Sequence, residues 1–120
     1  MTVPDAHLFS AVERERIRNE FMVRFGFARA LDDGMLLKRW ASGPQKGQIK
    51  LGKADQSMVG RGLIEVIDDG KPWPVAQFTA LGMRALQALA ADQRQLDPTR
   101  FAHLLADIAR LHSERVSLSD

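Results

Sequence analysis

A chain of 120 residues, 45% hydrophobic and 27% charged, suits one domain with a modest core and is too apolar to be disordered throughout. Cysteine is absent, which excludes disulfides, thiolate metal sites and a cysteine nucleophile. The formal net charge is only +2, but it is unevenly spread: Lys46, Lys50, Lys53 and Arg61 stand against Asp55 alone over 46–61, whereas from Asp92 onward five acidic residues outnumber four arginines.

The N-terminus carries Asp5 and His7 instead of a basic segment leading into an apolar one, so it does not read as a signal peptide. No apolar run approaches the roughly 18 residues of a membrane span. A cytoplasmic protein is expected, with no membrane association.

Val3-Pro4-Asp5 reads as a helix start with Asp5 as N-cap. Leu8, Val12, Ile17, Phe21 and Phe25 predict one helix over 6–31. Its apolar stripe drifts between Val12 and Ile17, which implies a bend or a second buried face, and Gly26 weakens it slightly. Asp32-Asp33 predicts the cap of a second helix over 34–41, packed through Met35, Leu36 and Trp40. Ser42-Gly43-Pro44 ends it. A third helix is expected over 48–61, with Leu51, Ala54 and Met58 as its core stripe. Its opposite face carries Lys50, Lys53 and Ser57, continued by Lys46 before it and flanked by Gln56.

Gly62 stops that helix. The β-branched run 63–67 predicts a strand, Asp68 to Pro74 a turn with two prolines, and 75–79 the partner strand. Thr79 is expected to cap a fourth helix that buries Met83, Leu86, Leu89 and Ala90. Asp97-Pro98, a cap followed by a first-turn proline, opens a fifth helix over 98–116. On it Phe101, Leu104, Leu105, Ile108 and Leu111 form one broad stripe.

A mostly α fold with a two-stranded β-hairpin follows, in the order α-α-α-β-β-α-α, which is a winged helix-turn-helix. It divides a single domain, 1–120, into a helical N-terminal segment (6–41), a recognition helix and wing (48–79) and C-terminal helices (80–116). The stretch 48–89 also resembles bacterial winged-helix regulators of the MarR and PadR type. There a recognition helix ends in a phrase like Arg61-Gly62-Leu63-Ile64-Glu65, and the wing closes on one like Phe78-Thr79-Ala80-Leu81-Gly82-Met83-Arg84-Ala85-Leu86. The resemblance covers about a third of the chain and implies a DNA-binding role in transcription regulation. One departure is the connection Ser42 to Gly47, longer than the usual turn of three to four residues.

On this reading Lys46, Lys50 and Lys53 neutralise phosphates, these lysines with Gln48, Gln56 and Ser57 can reach base edges, and Arg61 counts among the DNA-binding residues. In the wing, Lys71 meets a phosphate, and Trp73 either packs at the minor groove or folds back over the hairpin. Asp68 and Asp69 oppose a phosphate there. The expected partner is double-stranded DNA; the alternative is a winged helix that binds protein and no DNA. Terminal apolar stripes too broad for one small domain predict a homodimer through the terminal helices.

His103 and Asp107 have a spacing that could hold a metal, but no further ligand completes the set and HExxH is absent. A solvated pair is expected there. P-loop, dinucleotide and G-x-S-x-G patterns are also missing, so neither an enzyme nor a cofactor is expected.

Overall fold

The computed structural model describes residues 8–23, 27–70 and 73–119, without the side chains of 112 and 114–119. Asp5, His7, Phe25, Gly26 and Lys71 lie outside the described residues. The first helix, α1 (Ala11–Phe21), starts where a capping box puts it. The Ser10 N–H donates to Glu13 Oε1 at 2.7 Å, and the Glu13 N–H donates to Ser10 Oγ at 3.3 Å. Its buried face is Glu13, Ile17 and Phe21, while Val12 is 47% exposed. The drift in the apolar stripe therefore marks a carboxylate in a core position, not a bend.

The helix expected over 6–31 stops at Phe21, where Met22 turns extended. Phe21 is fully buried, whereas Val23 and Phe27 beyond it are exposed, so the buried stripe of the helix ends there. A short 3-10 turn, Leu31–Asp33, follows. No helix forms over 34–41. Met35–Leu36 is a strand, β1, and Lys38–Arg39 another, β2. Met35 and Leu37 are buried and Leu36 is exposed, a period of two over a stretch too short to reveal it. Gly34 holds a left-handed backbone (φ +68°), and a Cβ there would lie 2.6 Å from the Ala76 carbonyl oxygen.

The third expected helix is also shorter. Ile49–Lys50 is β3, paired antiparallel with β2 in the register Lys38↔Lys50 and Arg39↔Ile49. The segment 42–47 is thus the tip of a β-hairpin, not a turn between helices. Gly43 (φ 85°) and Gly47 (φ 87°) supply its left-handed positions. Helix α2 (Lys53–Gly60) follows and buries Met58 and Asp55.

β4 (Ile64–Ile67) and β5 (Val75–Phe78) pair antiparallel, Ile64↔Phe78 to Ile67↔Val75. β1 adds a third strand to the far side of β5, giving the order β1-β5-β4. α3 (Ala80–Ala90) is capped by Thr79 as expected. The Asp97 carboxylate accepts from the Thr99 and Arg100 N–H groups, and the turn it holds leads into α4 (Ala102–Ser119).

The α-α-α-β-β-α-α winged helix-turn-helix expectation is overturned. Five strands in two sheets stand among the described residues, and strands occupy the place of the second helix. One core runs through the domain, including Ile17, Phe21, Met35, Met58, Leu63, Leu86, Leu96 and Leu104. Phe101, Leu104 and Ile108 are buried in it, with Leu105 and Leu111 packed at its edge. The stripe that suggested a dimer is thus largely covered within the chain. No helix of the described residues is long and apolar enough to cross a membrane.

Candidate nucleic-acid interface

From Lys38 to Lys53 the sequence has five basic residues and no acidic one. The fold displays this stretch as the β2–β3 hairpin and the first residue of α2. Lys38, Lys46, Lys50 and Lys53 are all exposed. Lys38 and Lys50 sit directly opposite each other in the antiparallel ladder, so their side chains leave the same face. Like charges in that position repel, and an anion between them relieves the repulsion. The Lys50 ammonium also lies 4.8 Å from the centre of the Trp40 ring, a cation–π contact that steadies it.

Arg39 has a different task. It bonds the Gly47 carbonyl at 3.0 Å and forms a two-pronged ion pair with Asp68 at 2.7 and 3.2 Å. The hairpin is thereby tied to the turn between β4 and β5. The hydrogen bond from Arg39 holds the Asp68 carboxyl below its ordinary pKa. The acidic charge expected to oppose a phosphate is, at Asp68, already neutralised.

The expected site residues separate into two groups. Lys46, Gln48, Lys50, Lys53 and Gln56 are exposed on the hairpin and the adjoining turn of α2, with Gln56 Nε2 donating to the Leu51 carbonyl at 2.7 Å. Trp73 is 63% exposed. Ser57 and Arg61 instead turn inward. The Ser57 hydroxyl donates to Glu13 Oε2 at 2.5 Å, and Arg61 donates to Glu13 Oε1 at 2.5 Å and to the Leu8 carbonyl. Burial pushes the Glu13 carboxyl up, but bonds from Ser57, the Ser10 N–H and Arg61 outweigh it and hold the pKa below the ordinary range. These two residues join α1 to α2 and are committed to that contact.

Lys38, Arg39 and Trp40 belong to the candidate interface and were missed because a helix was expected over them. The available signal was Leu37-Lys38-Arg39 and Ile49-Lys50-Leu51 flanking a Gly- and Pro-containing tip, a hairpin pattern. Asp107 accepts from the Leu31 N–H at 3.0 Å, and the described residues contain no group of three or more potential ligands. Comparison with family models, with curated proteins and with solved structures finds no match to this chain.

Proposed function

We propose that the protein binds DNA through the β2–β3 hairpin and the start of α2. The observation that carries this reading is the facing pair Lys38 and Lys50 inside a stretch with five basic residues and no acidic one. A folded chain that needed only a solvated surface would gain by placing a carboxylate opposite one of them. Lys46 at the tip and Lys53 at the start of α2 are also exposed and add to the positive charge. Gln48 and Gln56 add groups that both donate and accept hydrogen bonds, as base edges require.

Affinity should depend strongly on salt. If the four exposed lysines each neutralise one phosphate, log K should fall against log salt with a slope of about −3 to −4. Fluorescence anisotropy of a labelled duplex measures this directly. Changing Lys46, Lys50 and Lys53 together to Glu should abolish binding while circular dichroism stays unchanged. Unaltered affinity in that variant rejects the assignment. No affinity in the wild type at low salt favours a surface for protein partners.

A further inference from the structure

A cleft of about 600 Å³ opens beside the hairpin, lined among others by Arg16, Glu20, Lys38, Lys50, Asp55 and Trp73. Its volume lies within the range of small-ligand sites. We propose that this cleft receives a nucleotide, the base stacked on Trp73, the phosphate on Lys38 and Lys50, and the base edge toward Asp55 and Glu20. The proposal deepens the DNA-binding reading and rests on it. The same chemistry is offered by an unpaired base within a strand and by a free nucleotide.

Three observations converge. Trp73 is exposed next to an anchored residue: Pro74 is fully buried, and the Pro74 carbonyl accepts from the Leu37 N–H at 2.9 Å. A large indole exposed at the rim of a cleft is a stacking platform for a base. Second, Lys38 and Lys50, partners across the β2–β3 ladder, both line this cleft. Third, the floor is polar and locked. Arg16 Nε bonds Asp55 at 3.1 Å, its Nη1 bonds Glu20 at 2.6 Å, and its Nη2 donates to the Leu36 carbonyl at 2.9 Å. The Leu36 N–H donates to Glu20 Oε2 at 2.8 Å. Arg16 is thus held at all three of its nitrogens, and the two carboxylates keep lone pairs. Carboxylates repel phosphate and accept from exocyclic amino groups. That orients a nucleotide with its phosphate at the lysine rim and its base inward, and it favours amino-bearing bases over thymine. Gly52, also on the lining, leaves open space where a side chain would stand.

Trp73 fluorescence tests the proposal in a Trp40→Phe variant, where it is the sole tryptophan. Titrants are a dC12 oligonucleotide, a dT12 oligonucleotide, cytidine monophosphate and a fully paired duplex. The expected result is quenching by dC12 at several-fold lower concentration than by dT12. Cytidine monophosphate should quench more weakly but saturably. Lys38→Glu with Lys50→Glu should weaken dC12 binding at least tenfold. By anisotropy of a labelled dC12, Trp73→Ala in the otherwise native chain should weaken it similarly. Quenching by the oligonucleotide alone assigns the site to a base within a strand; quenching by both extends it to free nucleotides. If the duplex binds and neither dC12 nor the mononucleotide quenches, the cleft proposal is wrong and the DNA reading survives. Equal response to dC12 and dT12 overturns the assigned orientation. If nothing binds, both readings fall together.

Discussion

Glu13 shows how one residue can set both local and long-range structure. Its backbone and carboxylate close the capping box of α1, and the same carboxylate receives Ser57 and Arg61 from the end of α2. Its side chain is wholly buried, and a buried carboxylate is tolerable only when so fully bonded. Replacing it by Ala leaves Ser57 and Arg61 without this acceptor. Because the Arg61 side chain stays 28% exposed, water limits the damage. The expected loss is about 2–3 kcal/mol in urea denaturation. The pH dependence follows from the direction of the shift. The Glu13 pKa is lowered from its ordinary 4.5, so its contribution is complete above that value and is lost as pH falls through the lower folded value. Asp55 acts in the opposite sense. Burial raises its pKa from the ordinary 3.8 despite Arg16, so stability declines as pH rises through that interval. Acid destabilisation below about pH 4.5 should therefore be shallower in Glu13→Gln than in the wild type, as thermal melts across pH would record. An equally steep decline in the variant would show that Glu13 does not govern it.

Among the elements, the β4–β5 hairpin and the start of α3 were legible because each carries its own local signal: β-branched alternation, a Gly-Pro turn and a threonine cap. The junction also has a demand no pattern could reveal. A Cβ on Gly82 would lie 2.0 Å from the Leu63 carbonyl oxygen, so α3 seats on the start of β4 only without a side chain there. Thr79 completes the joint, capping the Gly82 N–H at 3.1 Å and donating to the Gly62 carbonyl at 2.6 Å. Gly82→Ala gains about 1 kcal/mol of helix propensity but collides with backbone, so a net destabilisation of about 1–3 kcal/mol is expected. A variant as stable as the wild type in thermal melts would contradict this packing. The 34–50 segment stayed hidden for a different reason. Its strands are two residues long, and β1 is held by β5, some forty positions away in the chain. Apolar residues at Met35, Leu36, Leu37 and Trp40 fit a helical stripe equally well, and only non-local pairing decides between them.

At the scale of the molecule, the positive stretch was partly visible in the sequence. Lys46, Lys50 and Lys53 stand out by charge clustering, which does not depend on the helix expected there. Lys38 and Trp40 do not, since a helix would have turned them elsewhere. Ser57 and Arg61 were grouped with the lysines because their attachment to Glu13 is a tertiary contact. The central proposal is that the β2–β3 hairpin and the start of α2 meet DNA. The most direct measurement is amide chemical-shift mapping of the labelled protein as a duplex is added at low salt. The account predicts shifts concentrated at 38–53, fading as salt rises. Shifts centred outside 38–53, or none at saturating duplex, would contradict it.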